Sequence, residues 1–305
     1  MDLSPAFVTT IRTTFGDAGD VFLRDLPHLL EMYAQRWELI LLPAFPNVSY
    51  NYVAPVVRRD GSEAVLKLGV PHREARSEMA ALAFYGGSGC VRLLEADPDG
   101  GALLLDRVRP GATLQQLAYT DDVQATAVLA DVMDALWRPA PAMHEMLTIA
   151  VWAAELAALR PNFGGGTGPF PAHLVDIAER LFAELLASSA APVVLHGDLH
   201  HDNVLAAQGE CWLAIDPKGV VGEREFEVYA LLRNPLGWPL AQPDPARVLQ
   251  RRIDQVADRL GLDRQRIRLW SVAQCVLSAW WDYNDHDPAA GQDDLRIAEL
   301  LWNLR

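Results

Sequence analysis

Three side chains in the second half of this 305-residue chain have the types and spacing to do chemistry: Asp198, Asn203 five residues later, and Asp216. The apolar run Val193-Val194-Leu195 reads as a strand entering a polar loop, His196-Gly197-Asp198-Leu199-His200-His201-Asp202-Asn203. Val204-Leu205 leaves the loop as another strand. A further apolar run, Cys211-Trp212-Leu213-Ala214-Ile215, then delivers Asp216. Phosphoryl transfer explains each residue type. One carboxylate, Asp198, accepts the proton of an attacking hydroxyl and aims it at a γ-phosphate. A second carboxylate and an amide oxygen, Asp216 and Asn203, hold Mg²⁺, a hard cation that takes oxygen ligands. Mounting these groups on strand ends fixes their separation, and positioning is most of this catalysis.

The order His-x-Asp, Asn five residues on, then a later Asp is that of the protein-kinase signature. Two other readings compete. An Asp and an Asn in one loop commonly make only a turn. His196, His200 and His201 also suggest a metallophosphoesterase, but such an enzyme needs a further Gly-Asn-His-Asp segment, which the sequence lacks. A kinase also needs a lysine on a strand to hold the α- and β-phosphates, and a glutamate on the next helix to orient it. Lys67 lies in Val65-Leu66-Lys67-Leu68 and is one of only two lysines among 26 basic residues, the other being Lys218. Glu74 and Glu78 lie one helical turn apart downstream. Glu78 is preferred because Met79, Leu82 and Ala83 beside it read as core-facing.

The elements that must position these groups can be read from periodicity. Residues 4–35 carry apolar residues at three- and four-residue steps and predict a helix. Trp37 to Leu42, Tyr50 to Val57, Ala64 to Leu68, Val91 to Glu95 and Ala102 to Leu105 read as five strands, with a helix over Arg73 to Tyr85 after the third. From Leu114 to Leu186 the chain reads as mainly helical, with loops at 138–141 and 161–171. Residues 192–221 return to short strands, and helices resume from Glu225. Gly164-Gly165-Gly166 lacks the Gly-Lys-Ser/Thr of a phosphate loop and reads as a plain loop.

Composition narrows the classes further. A formal charge of −14 leaves no basic stripe for a nucleic-acid backbone. The sequence shows no apolar run long enough for a membrane span and no basic-then-apolar leader, so a cytoplasmic protein is expected. Cys90, Cys211 and Cys275 are three and scattered, which predicts buried free thiols.

The loop from His196 to Asn203, together with Ile215-Asp216-Pro217-Lys218-Gly219, resembles the aminoglycoside phosphotransferase family. More narrowly, Leu231-Leu232-Arg233-Asn234-Pro235 and Leu277-Ser278-Ala279-Trp280-Trp281 resemble its streptomycin 6-kinase and hydroxyurea phosphotransferase branch. The resemblance runs from Trp37 to Trp281. It implies an α+β, two-lobed, protein-kinase-like fold, with a nucleotide-binding lobe over 1–107 and a catalytic, substrate-binding lobe over 108–305. It implies ATP and Mg²⁺ as cofactors, with adenine against a connector at Asp106 to Val108. It maps the base role to Asp198, the metal roles to Asn203 and Asp216, and the ion pair to Lys67 and Glu78. Where a glycine-rich phosphate loop belongs, residues 47–52 contain no glycine, and Ser49 and Asn51 are the donors on offer. Asp216 is followed by Pro217-Lys218, and no Ala-Pro-Glu occurs, which speaks against protein substrates.

Acidic residues crowd the later part of the chain, with 26 acids against 16 bases after residue 107. Asp282 and Asp285 sit among aromatics, and Glu227 follows the metal aspartate. An aminocyclitol or guanidinylated sugar is cationic and rich in hydroxyls, so these three are the candidate substrate contacts. A kinase for a sugar, choline or homoserine, and an inactive nucleotide-binding regulator, are the alternatives. The oligomeric state is left open.

Overall fold

The computed structural model describes residues 3–46, 49–284 and 288–304. The chain opens with α1 (Pro5–Arg36), which Ser4 caps by accepting the Phe7 N–H at 3.2 Å. The sequence predicted one continuous helix here. The structure breaks it at Gly16, whose φ of 52° and ψ of −130° lie outside the helical region. The two arms then meet so closely that a Cβ on Gly19 would lie 2.4 Å from the Ile11 carbonyl oxygen.

Five strands follow: β1 (Leu39–Leu41), β2 (Tyr52–Arg58), β3 (Glu63–Leu68), β4 (Leu93–Asp97) and β5 (Ala102–Asp106). They form one antiparallel sheet in the order β1-β2-β3-β5-β4, with α2 (Arg73–Tyr85) inserted after β3. Side chains alternate across a pleated strand. Ala64, Leu66 and Leu68 therefore face one way and, with Ala102 and Leu104, pack in a core with Phe7, Ile11, Phe22 and Leu26 of α1. Val65 and Lys67 face the other way, and that alternation puts the lysine on the functional side of the sheet.

The rest is mainly helical: α3 (Gln115–Thr120), α4 (Asp122–Leu136), α5 (Ile149–Glu155), α6 (Leu159–Asn162), α7 (Ala172–Ala187), α8 (Tyr229–Arg233), α9 (Pro245–Leu260), α10 (Arg264–Asn284) and α11 (Pro288–Asn303). Short strands are set among them: β6 (Arg138–Pro139), β7 (Leu147–Thr148), β8 (Val193–Leu195), β9 (Val204–Ala206), β10 (Trp212–Ala214) and β11 (Val220–Gly222). β9 and β10 make a hairpin, and β6-β8-β11-β7 make a small sheet. From Trp270 to Trp280, α10 is buried without interruption and forms the centre of the larger core. Met79, Leu82 and Tyr85 of α2 and Leu103 and Leu105 of β5 belong to that core too. Apolar packing thus runs across the chain position 107/108. Cys90 and Cys275 are buried free thiols as expected, but Cys211 is exposed in the turn that joins β9 to β10. No helix among the described residues is long and apolar enough to cross a membrane.

Candidate active site

The β9–β10 hairpin explains how Asn203 and Asp216, thirteen residues apart, become neighbours. Val204 pairs with Ala214, so the residues just outside the ladder face each other, and Ile215 N–H donates to the Asn203 carbonyl at 2.9 Å. Asp216 is the next residue. Its φ of 63° is in the left-handed region, which few non-glycine residues adopt and which costs on the order of 1–3 kcal/mol. Surrounding bonds hold it there: Lys218 N–H donates to the His196 carbonyl at 2.7 Å just beyond it. Gly219 completes the turn at φ 68°. A Cβ there would lie 2.5 Å from the Ser77 carbonyl oxygen on α2, so only glycine lets the turn approach the helix. Ser77 Oγ donates to the Gly219 carbonyl at 2.6 Å and ties α2 to this turn.

Lys67 reaches across from β3. Its Nζ lies 2.7 and 2.8 Å from the two Glu78 carboxylate oxygens and also contacts Asp216 Oδ1. Of the two candidate glutamates, Glu78 makes this bond. Glu74 lies 3.8 Å from Lys218 Nζ instead. Burial pushes the Lys67 ammonium down, but Asp216 and Glu78 outweigh it and hold the proton firmly. Burial raises the Glu78 carboxyl to about 7 against the pull of Lys67. Burial also acts upward on Asp216, but Lys67 dominates and keeps this carboxyl well below the usual range. An ionised Asp216 is the form that binds a cation.

Asn203 Nδ2 donates to the Asp198 carbonyl at 2.9 Å and lies 3.1 Å from His200 Nε2. With the nitrogen committed, the side-chain oxygen is the atom left for a cation. Asp198 is partly exposed in the cleft, with His200 Nε2 3.8 Å from its Oδ2. Among the described residues, no three His, Cys, Asp or Glu side chains converge to hold a metal ion. A magnesium ion arriving with a nucleotide needs fewer protein ligands, because phosphates and waters complete its octahedron. Asn203 and Asp216 suit that case.

Sequence reasoning missed His196. Its ring Nε2 donates to the Ile215 carbonyl at 2.8 Å, and its Nδ1 accepts the Asp198 N–H at 3.3 Å. This arrangement requires the neutral ring, and burial lowers its pKa to about 4. His196 thereby joins the loop of Asp198 to the strand of Asp216.

Glu227 corrects the sequence reading. It is 2% exposed and does not reach the cleft. Its two oxygens accept the backbone N–H groups of His196 at 2.7 Å and Gly197 at 2.8 Å, so it anchors the loop from below. Burial raises its pKa to about 7 against these two bonds. Asp285 lies outside the described residues.

Lys67, Glu78, Asp198, Asp216 and Lys218 line one cleft of about 910 Å³. At one end lie Val108 and Asp106, whose carboxylate is taken by Arg92 at 2.7 Å. Ser49 and Asn51 line the roof. At the other end Asp282 lies 3.5 Å from Arg233. Beside it, Trp281 Nε1 donates to Glu155 at 2.6 Å, and the Trp152 and Trp281 rings meet edge to face at 5.3 Å. Glu155 and Arg233 are cleft residues that charge counting overlooked. Arg233 and Ser278 do fall within the two short segments that carry the narrower resemblance.

Residues 36–286 match the family described as aminoglycoside/hydroxyurea antibiotic resistance kinase. The chain belongs to this family. It is 34% identical to the streptomycin 6-kinase of Streptomyces glaucescens over 94% of this chain and 92% of that protein. It is also 34% identical to the hydroxyurea phosphotransferase of Kitasatospora aureofaciens, over 97% of this chain and 85% of the other. Among solved structures, a choline kinase of Streptococcus pneumoniae aligns with a TM-score of 0.65 at 12% identity, covering 91% of this chain and 99% of that one. That likeness is one of fold and places the chain in the protein-kinase-like architecture. The family is one of small-molecule kinases. In this chain Lys67, Asp198 and Asp216 line one cleft, and Asn203 is bonded to the Asp198 carbonyl beside them.

Proposed function

We propose that this kinase transfers the γ-phosphate of ATP to a hydroxyl of a small cationic antibiotic of the streptomycin kind. The convergence of Lys67, Glu78 and Asp216 opposite Asp198 in one cleft carries the reading. Residues 1–107 supply the nucleotide side, with adenine against the backbone at Asp106 to Val108. Residues 108–305 supply the catalytic and acceptor side. Lys67, oriented by Glu78, neutralises phosphate charge, and Ser49 offers a donor above it. Asn203 and Asp216 hold Mg²⁺, which when bound offsets the negative charge of the phosphates. Asp198 accepts the hydroxyl proton and aims the oxygen at phosphorus. The reading includes a cytoplasmic location, where ATP is supplied.

On the acceptor side, Glu155 beside two tryptophans suits an amine or guanidine packed against aromatic faces. Asp282 adds negative charge, though its carboxylate is already near Arg233. Streptomycin and hydroxyurea, for which relatives are named, differ greatly in size and charge. Each nonetheless carries a hydroxyl with a second oxygen two atoms away: neighbouring ring hydroxyls in one, the N-hydroxyl and carbonyl in the other. A hydroxylated metabolite of the sugar, choline or homoserine kind is the second reading. Lys218, a cation lining the same cleft 3.8 Å from Glu74, favours it.

ATP consumption with Mg²⁺ should rise on adding streptomycin or hydroxyurea and stay at background with choline. Turnover with a metabolite alone would keep the kinase chemistry and remove the antibiotic acceptor. An absence of ATP turnover with every acceptor would favour a nucleotide-binding regulator.

A further inference from the structure

Two short segments, Leu231 to Pro235 and Leu277 to Trp281, lie far apart in sequence and meet at the acceptor end of the cleft. The bond that joins them runs from Arg233 Nη1 to Ser278 Oγ at 2.7 Å. Arg233 Nη2 lies 3.2 Å from Asp294 and 3.5 Å from Asp282. Asp294 is fixed in turn, accepting the Tyr229 hydroxyl at 2.9 Å. Behind Arg233, Arg252 Nη1 donates to the carbonyls of Leu231 at 2.6 Å and Asn234 at 2.7 Å, which clamps the end of α8. The guanidinium is thus held on both sides and is pre-organised.

It is also incompletely used. A guanidinium has five N–H donors in a rigid fork. Nε is buried and has no hydrogen-bond partner among the described residues, while the side chain keeps 19% of its surface open where it lines the cleft. Asp198 lines the same cleft, and its charge acts on Arg233. Two carboxylates around one guanidinium leave the cluster acidic, so Arg233 does not expel a cationic acceptor.

We infer that Arg233 is a specificity-determining residue of the acceptor site, donating to an oxygen beside the hydroxyl that Asp198 engages. This rests on the kinase reading above and deepens it. Preferred acceptors present a hydroxyl and a second oxygen two atoms away, as a vicinal diol or an N-hydroxy amide does. A lysine at this position keeps the charge for Asp294 and Asp282 but loses the fork.

The test is steady-state kinetics of the full chain with ATP, Mg²⁺ and streptomycin, hydroxyurea, myo-inositol or choline, for wild type, Arg233→Lys and Ser278→Ala. Arg233→Lys should raise the KM for streptomycin by roughly tenfold or more, while the KM for ATP stays within about twofold and the melting temperature holds. Ser278→Ala should shift the streptomycin KM the same way by less. An unchanged acceptor KM in both variants overturns the inference. So does a joint rise of both KM values with a fall in melting temperature, which is the mark of a structural pillar. Turnover of choline in preference to the three oxygen-pair acceptors overturns it too, yet leaves the kinase reading standing. ATP turnover with none of the four contradicts the kinase reading and the inference with it.

Discussion

At Glu227 a buried carboxylate accepts two backbone N–H groups, from His196 and Gly197, one residue either side of the entry to the Asp198 loop. Glutamine has one acceptor where glutamate has two, so Glu227→Gln leaves one buried N–H facing an amide N–H. Such a loss costs about 1–3 kcal/mol. The variant should melt several degrees lower and lose kcat, with the KM for ATP little changed, because Lys67 and Glu78 are on the other side of the cleft. Unaltered kcat would show that the loop holds its shape without this anchor. Glu227 also shows where residue-level reading stops. Asp198, Asn203, Asp216, Lys67 and Glu78 were legible because their spacing is short and their strand or helix setting is visible in the pattern. A carboxylate whose partners are backbone amides about thirty residues away has no such signal. His196 was quoted as part of the motif, but its bond to the Ile215 carbonyl depends on the hairpin register.

At the scale of elements, Gly219 is where the catalytic turn touches α2. Alanine there meets a φ of 68° and a Cβ position 2.5 Å from the Ser77 carbonyl oxygen and 2.7 Å from Ala81 Cβ. Gly261 has the same φ of 68° with nothing within 4 Å of its Cβ position, so it isolates the backbone term. Gly261→Ala should cost about 1–2 kcal/mol and leave kcat intact. Gly219→Ala should cost clearly more and lower kcat, because it displaces the segment from Asp216 to Lys218. Melting curves and initial rates on both variants check this, and equal losses would mean that the turn has room. The five strands and the inserted α2 were legible from period-two and period-3.6 patterns. The break in α1 was not, because Gly16 and Gly19 lie in a sequence that keeps a helical period on both sides. What folds the arms together is a contact between Gly19 and Ile11, which periodicity does not encode.

For the whole molecule, acid should be the weak direction. Burial lowers the pKa of His196 to about 4 and of His201 to about 3, against about 6.5 in the unfolded chain. As pH falls below 6.5 the unfolded chain takes up these protons first. The stability tied to each neutral ring is fully present above 6.5 and is lost as pH falls through that value toward 4, on the order of 3 kcal/mol per histidine. Neither ring nitrogen of His201 has a hydrogen-bond partner among the described residues. His201→Leu should therefore flatten the fall in melting temperature between pH 6.5 and 4, and an unchanged slope would place the acid sensitivity elsewhere. The architecture was legible at this scale in its order of elements, but the packing was not. The larger core draws in α2 and part of β5, so the two sides of the cleft share one apolar network.

The central claim is that Asp198 serves the acceptor hydroxyl while Lys67, Asn203 and Asp216 serve the nucleotide. Its most direct test is transfer of labelled γ-phosphate from ATP to streptomycin by wild type and Asp198→Asn, with nucleotide binding measured on the same samples. The account predicts loss of transfer by roughly 10²–10⁴-fold in Asp198→Asn, with ATP affinity retained. Transfer that survives the substitution, or that disappears only because ATP no longer binds, would contradict it.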